Sequence, residues 1–295
     1  MTYRELLKEG ERKLFTAGVA EWELDAWYLF SHCFSMDRGA YFLHMETALS
    51  EEAEEKAAEF GCLTGKRAER IPLQQILKSQ EFMGFSFYVN EHVLIPRQDT
   101  ETLVETALAG ERARMRALPT GKKPQTYRIL DLCTGSGCVG ISLAKLLPSA
   151  KVTLSDISEE ALEVAAENVR RFDLGESCEI ARSDLFERFS GERFDCIVSN
   201  PPYVPSGEIG KLMPEVRDHE PAAALDGSPD GLEFYRRIGG EAAEHLTPGG
   251  RLYLEIGWDQ GETVPELLRT AGFLHVEVLK DLAGNNRVVK AACPE

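Results

Sequence analysis

The stretch Ile129–Ala144 reads ILDLCTGSGCVGISLA. A short run of strand character leads into a turn carrying Gly135 and Gly137, and an apolar run of helical character follows from Val139. With Gly140 the glycines fit G-x-G-x-x-G, and Asp156 closes the next apolar run 21 residues after Gly135. Glycine permits a tight turn and a close approach of ligand to backbone, and a carboxylate at the next strand end can accept both hydroxyls of a ribose. Turn, helix start and distant acid together predict a nucleotide-binding strand–turn–helix rather than a loop that only reverses the chain.

Two kinds of ligand suit such a turn, and Asp131 separates them. A dinucleotide sets its pyrophosphate on the helix N-terminus, where a nearby carboxylate repels it; S-adenosylmethionine presents a sulfonium and an amino group, which a carboxylate attracts. Asp131 stands four residues before Gly135, at the end of the strand, and favours the cationic ligand. The segment resembles the D-x-G-x-G-x-G motif of Rossmann-like methyltransferases, with Cys133 in place of the first glycine. The alternative role for Asp131, capping neighbouring backbone donors, fits the same position.

Outward from this turn the sequence alternates strands and helices. Strands are predicted at Arg128–Leu132, Lys151–Leu154, Glu179–Arg182, Cys196–Ser199, Arg251–Ile256, His275–Leu279 and Arg287–Ala291, and helices at Thr100–Leu118, Val139–Leu147, Glu159–Phe172, Leu232–His245 and Gly261–Ala271. Such alternation predicts an α/β fold with a doubly wound, mostly parallel sheet whose ligand site lies beyond the carboxyl ends of its strands. Asp184, after the third of these strands and in register with Asp131 and Asp156, stands where the Rossmann-like methyltransferases that the turn resembles bind the adenine amino group, which implies Leu185 and Phe186 beside the ring.

Residues 3–18, 21–34 and 50–66 read as helices, the last with Ser50 as N-cap and acidic residues in its first turn. Phe85, Phe87 and Val89 then alternate as in a strand, Asn90 turns the chain, and Val93–Ile95 are extended again, a hairpin between two domains. The expected organisation is a helical domain over residues 1–83, a hairpin linker over 84–96 and a catalytic domain over 97–295.

Forty-nine acidic against 33 basic residues leave a net charge of −16, spread along the chain, which disfavours unspecific binding to phosphate backbones; no direct nucleic acid partner is expected. The first residues lack the apolar core of a signal peptide and no later run reaches membrane-spanning length, so a cytoplasmic protein without membrane association is expected. Seven cysteines without a C-x-x-C pair, and histidines without neighbouring partners, indicate neither a disulfide framework nor a metal site. The basic run of residues 112–128 reads as a solvated helix end.

Asp195–Pro205 reads DCIVSNPPYVP. Asn200 falls at the end of the fourth strand of the alternating region, and Pro201 and Pro202 stiffen the chain immediately after it. An amide nitrogen, or the exocyclic amine of adenine, is a poor nucleophile because its lone pair is delocalised. The side-chain carbonyl of Asn200 and the backbone carbonyl of Pro201 can hold its two N–H groups and favour charge developing there, while Tyr203 offers a face for a planar group.

The tetrad NPPY resembles that of methyltransferases acting on adenine amines and on glutamine amides. LIPRQDTE (Leu94–Glu101), EVRDHEPAAALDGSPDGLEFYRRI (Glu215–Ile238) and DLAGNNRVV (Asp281–Val289) resemble the release factor glutamine methyltransferase family, the HemK or PrmC type, and the resemblance spans essentially the whole chain. It implies a class I methyltransferase domain behind a helical substrate-recognition domain, and transfer of a methyl group to the glutamine of the Gly-Gly-Gln loop of bacterial peptide chain release factors. The implied catalytic residues are Asn200, Pro201, Pro202 and Tyr203. The donor-binding set is Asp131, Cys133, Thr134, Gly135, Ser136, Gly137, Asp156, Asp184, Leu185 and Asn200. Arg97 is open between a donor contact, closure of the site and a domain-linking ion pair, and Glu220 with Pro221 shapes a substrate wall or ends a helix. Competing readings are a glutamine methyltransferase for a large-subunit ribosomal protein, a DNA adenine methyltransferase, which the acidic balance disfavours, and a binding-only adaptor.

Overall fold

The computed structural model describes residues 1–117 and 126–295, in two compact units: Met1–Ser79 with Met213–His219, and Gln80–Leu212 with Glu220–Glu295. The end of the predicted helix at Leu118, the loop after it and the middle of the basic segment lie outside the described residues.

In the first unit, helices α1 (Tyr3–Thr16), α2 (Trp22–Phe34) and α4 (Glu51–Ala68) are those the sequence predicts, while the short α3 (Arg38–His44) and α5 (Leu73–Leu77) are additions. Thr2 starts α1 with a capping box: its hydroxyl accepts from Glu5 N, and the Glu5 carboxylate accepts from Thr2 N. Ser50 does occupy the N-cap of α4, but its hydroxyl makes no capping bond. The favourable acids of that first turn, Glu51, Glu52 and Glu54, are present. Phe30 centres the core, in ring contact with Tyr3, Trp27, Phe34, Tyr41 and Phe60. α1 and α4 approach closely at Gly10, where a Cβ would come within 2.4 Å of Phe60 Cζ.

The short helix Pro214–His219 belongs to this unit through charge pairs. Glu215 accepts from Arg67 Nη2 at 2.9 Å and from Arg70 Nε and Nη2 at 2.8 and 2.6 Å, while Arg67 Nε donates to Asp25 at 2.7 Å. Burial alone raises the Glu215 pKa, but Arg70 and Arg67 outweigh it and hold the carboxyl at about 2.

The second unit opens on a hairpin, one turn earlier than expected. Strands β1 (Gln80–Phe82) and β2 (Phe85–Phe87) pair antiparallel around Met83 and Gly84, both at positive φ (52° and 73°), the backbone of a tight hairpin turn. Asn90 does turn the chain, its side chain accepting from His92 N at 3.0 Å. Val93–Ile95, however, joins no strand: Val89 and Val93 are buried against Ala161 and Val164 instead, so side-chain packing on a helix replaces the expected ladder.

Apart from α9 (the Pro214–His219 helix of the first unit), which was not expected, the remaining elements follow the predicted alternation: α6 (Glu101–Ala117), β3 (Tyr127–Leu132), α7 (Cys138–Leu146), β4 (Ala150–Asp156), α8 (Glu159–Arg171), β5 (Cys178–Arg182), β6 (Phe194–Ser199), α10 (Glu233–Glu241), β7 (Leu246–Glu255), α11 (Thr263–Thr270), β8 (Leu274–Lys280) and β9 (Asn286–Ala292). α10 stops four residues short of the predicted end, where the chain turns into β7. The sheet order is β5-β4-β3-β6-β7-β9-β8. β3 to β7 run parallel, and β9 is antiparallel to both its neighbours. Two apolar clusters cover its two faces, and chain order reverses between β3 and β6, where a doubly wound sheet opens a crevice at its carboxyl ends. Among the described residues no helix is long and apolar enough to cross a membrane.

Candidate active site

A cavity of about 510 Å³ occupies that crevice, and its walls come from the second unit alone. The turn after β3 forms one wall. Asp131 is buried; its Oδ2 accepts from the Thr134 hydroxyl at 2.6 Å and from Gly140 N at 2.9 Å, so the carboxyl braces the turn while also lining the cavity. Cys133, Gly135 and Gly137 have φ of 55°, 53° and 81°. At the cysteine this left-handed geometry costs on the order of 1 kcal/mol that glycine would avoid. Gly137 stands behind the wall: a Cβ there would meet Ile141 Cδ1 at 2.8 Å. Gly140 allows helix to meet sheet, since a Cβ would lie 2.3 Å from Leu154 Cδ2.

Asp156 ends β4 and lines the cavity. Its Oδ2 accepts from Gly135 N at 2.9 Å and its Oδ1 from Ser158 N at 3.1 Å, tying acid to turn. Burial raises its pKa, against the hydrogen bonds from Gly135 and Ser158. Burial likewise pushes Asp131 up to about 7, against bonds from Thr134 and Gly140. Two desolvated carboxyls on one wall suit a ligand that brings positive charge and hydroxyl donors. The buried Ser155 hydroxyl, in the same wall, has no hydrogen-bond partner.

Asp184 also lines the cavity, with Oδ1 bound by Arg237 Nη2 at 2.8 Å. Leu185, at φ 47°, lines it too. Phe186 does not flank the cavity as expected: it is buried and stacks on His245 with centroids 4.7 Å apart, because the left-handed step at Leu185 sends the next side chain into the core.

Asn200 follows β6 directly, and the Ser199 hydroxyl donates to Leu132 O at 2.8 Å, holding that strand end level with the turn. Asn200 Nδ2 lies 3.4 Å from Thr100 Oγ1. Asn200 and Pro202 line the cavity, whereas the Tyr203 hydroxyl turns toward Glu255, 3.4 Å from Oε1. The backbone of Tyr203 is enclosed by two glycines: a Cβ at Gly227 would come 2.7 Å from Tyr203 Cα, and one at Gly231 2.4 Å from Tyr203 O.

The sequence reading missed Thr100, Ser155, Ser183, Phe234 and Arg237, all of which line the cavity. Arg97 lines it, and its Nη2 donates to both carboxylate oxygens of Glu220, at 2.6 and 2.8 Å. Both residues belong to the second unit, so the pair links no domains. Burial raises the Glu220 pKa and Arg97 opposes it. For Thr100, Arg97, Glu220, Phe234 and Arg237 the signals available were LIPRQDTE and the 215–238 stretch, with no periodicity to say which side chains face inward; Ser155 and Ser183 stand one residue before Asp156 and Asp184, in the strand ends already singled out.

Known proteins resemble this chain in both sequence and fold. Residues 5–77 match the model of the PrmC N-terminal domain, and residues 110–214 that of the methyltransferase small domain. The release factor glutamine methyltransferase of Geobacter sulfurreducens is 41% identical over 288 residues, covering 98% of this chain and 95% of that protein. The chain belongs to the release factor glutamine methyltransferase family. Its relative of the same name from Moorella thermoacetica is 41% identical, covering 97% of each chain. Among solved structures, a human methyltransferase 10 domain containing protein superposes with a TM-score of 0.52 at 18% identity, over 80% of this chain and 97% of that one. A methyltransferase from Pyrococcus furiosus gives 0.50 at 18% identity, over 79% and 100%. At those identities the two structures speak for the fold of the glutamine methyltransferase chain, a class I Rossmann-like methyltransferase, and for nothing further.

Proposed function

We propose that this chain transfers a methyl group from S-adenosylmethionine to the side-chain amide nitrogen of the glutamine in the Gly-Gly-Gln loop of bacterial peptide chain release factors, in the cytosol where those factors work. The observation that carries the reading is the placement of Asn200. Its amide N–H₂ faces Thr100 at 3.4 Å, which leaves Oδ1 as the acceptor available to the cavity, beside the Asp131–Gly137 turn. The substrate assignment is supported by similarity over nearly the whole chain, helical front end included, to proteins named release factor glutamine methyltransferases.

The bound donor supplies an electrophilic methyl group on a positively charged sulfur. Asp156 keeps acceptor capacity beyond its bonds to Gly135 and Ser158, and this accepts the ribose hydroxyls. Asp131 sets negative charge near the cationic end, and Cys133, Thr134, Gly135 and Ser136 form the turn around it. Arg237 holds one oxygen of Asp184 and leaves the other for the adenine amine, with Leu185 against the ring. The Asn200 side-chain carbonyl and the Pro201 backbone carbonyl take the two N–H groups of the substrate amide, orient its nitrogen and favour the positive charge that develops there. Pro202 fixes their direction and Tyr203 closes the wall. The amide proton leaves after methyl transfer, so no strong base is required. The helical front end contacts the body of the release factor, because a Gly-Gly-Gln loop alone offers far less than the roughly 1,200–2,000 Å² that specific complexes bury.

Labelled donor offered separately with a release factor, a large-subunit ribosomal protein and duplex DNA, with the label located by peptide mass, tests the assignment. Label on the Gly-Gly-Gln glutamine is expected; label only on the ribosomal protein or the DNA overturns it. Asn200→Ala should cost on the order of 100- to 1000-fold in single-turnover rate with donor affinity largely kept, and near-normal turnover removes Asn200 from the mechanism.

A further inference from the structure

Behind the Asn200–Tyr203 wall lies a buried carboxyl that the methyl-transfer mechanism does not use. Glu255 is the last residue of β7, and since Ser199 pairs with Leu254, it stands level with Asn200 on the adjacent strand. It is 2% exposed, and Tyr235 pins its backbone, the phenol donating to Glu255 O at 2.9 Å. Oε1 faces the Tyr203 hydroxyl at 3.4 Å; Oε2 is buried without a hydrogen-bond partner. The Thr100 hydroxyl lies beside the carboxyl and also faces Asn200 Nδ2 at 3.4 Å. The charged groups around it are Arg287, itself paired with Asp281 and Asp99, and Asp99.

These contacts allow one consistent set of donors. The Asn200 amide donates to the Thr100 oxygen, which leaves the Thr100 proton for the Glu255 carboxyl, and Tyr203 donates to Oε1. An ionised carboxylate only accepts, so it satisfies both hydroxyls and turns the Asn200 carbonyl toward the cavity. A protonated Glu255 competes as a donor and can reverse Thr100. Both of these hydrogen bonds, at 3.4 Å, are long.

We propose that Glu255 is a positioning residue for methyl transfer, acting through Tyr203 directly and through Thr100 on Asn200. The inference rests on the reading that Asn200–Tyr203 receive the substrate amide. Burial pushes the Glu255 pKa up to about 7, against Thr100 and Arg287, so the orienting, ionised form is gained as pH rises through that value.

The test uses the full chain with Glu255→Gln, Thr100→Val, Thr100→Ser and Asn200→Ala. Single-turnover methylation of a release factor at saturating donor is followed from about pH 5.5 to 9, spanning the Glu255 titration, with calorimetry of S-adenosylhomocysteine binding and thermal melts alongside. Wild-type rate should rise with pH and level off above about 7. Glu255→Gln should lose about 10- to 100-fold in rate, the scale for a residue that orients a working group. It should flatten the pH limb as well, any limb that remains belonging to Asp131, whose pKa burial also raises to about 7, with product affinity within about twofold of wild type. Thr100→Val should lose a similar factor and Thr100→Ser should restore the rate, a comparison that stands even if the Gln variant does not fold. Wild-type rates in Glu255→Gln or Thr100→Val, or a fall in product affinity matching the fall in rate, overturn the proposal. If Asn200→Ala itself is near normal, the fault lies in the underlying reading; if Asn200→Ala is inactive while the other variants are normal, only the positioning role fails.

Discussion

Replacing Gly227 by alanine probes the wall without removing any group assigned to the chemistry. An added Cβ would lie 2.7 Å from Tyr203 Cα, 2.9 Å from Tyr203 C and 2.9 Å from Gly231 Cα, all backbone atoms with no flexible end to swing aside. Ordinary contact begins at 3.4 Å, so Tyr203 or Gly227 must shift by at least 0.7 Å. Gly227 is itself bound by its N–H to Val204 O at 2.9 Å, and Gln260 bridges Tyr203 O and Gly231 O at 3.4 and 3.0 Å. With two prolines before it, Tyr203 cannot absorb the shift alone, and Asn200 moves with it. A displacement near 1 Å costs about 100-fold in rate when reacting groups must be aligned, and overpacking costs roughly 1–3 kcal/mol in stability. Gly227→Ala should therefore lower single-turnover methylation of a release factor by about 100-fold. S-adenosylhomocysteine affinity, which the proposed function assigns to the turn after β3 and to Asp156, should stay within a few-fold. Gly210→Ala, with nothing within 4 Å of the added carbon, is the control and should change neither. A Gly227→Ala enzyme that melts like wild type and turns over within about threefold of it would sink this account, since the wall would then tolerate displacement.

Three further outcomes are expected. Asp156→Ala should weaken donor binding by roughly 1.5–3 kcal/mol, the scale of charged hydrogen bonds, with a smaller effect on the saturated rate; unchanged affinity by calorimetry places the ribose elsewhere. Because the Glu215 carboxyl sits at about 2 when folded against an ordinary 4.5, its ion pairs stabilise the helical unit fully above the ordinary value, and that contribution disappears as pH falls toward 2. Melts of Glu215→Gln and wild type should thus differ at about pH 6 and converge on acidification, and a constant gap down to about pH 3 contradicts the assignment. A chain beginning at Gln80 should lose activity on intact release factor far more than on a short Gly-Gly-Gln peptide, once circular dichroism and donor binding show it folded. That check matters because Met213–His219 loses Arg67 and Arg70, its charge partners. An equal loss on both substrates makes the front end a stability element.

The parallel sheet, the glycine turn and the acids at its strand ends are all legible in the order of the residues. Those features are local: a turn needs glycine where φ is positive, as at Gly135 and Gly137, and buried strands need apolar runs between turns. The hairpin was misplaced for the same reason, since Met83 takes a positive φ that its residue type does not advertise and Asn90 does advertise a turn. Other features exist only once the chain is folded. Packing turned Phe186 into the core, bound Asp184 to Arg237, closed Arg97 onto Glu220 and set Glu255 and Thr100 behind the NPPY tetrad. The hydrogen-bonded pairs among them are 52 to 123 residues apart; Tyr203 and Glu255 meet because the sheet order sets the ends of β6 and β7 side by side, and the others because helices and loops return over those ends. A propensity or a period reports the neighbours of a residue along the chain, whereas the ionisation and orientation of a buried side chain depend on neighbours across the sheet.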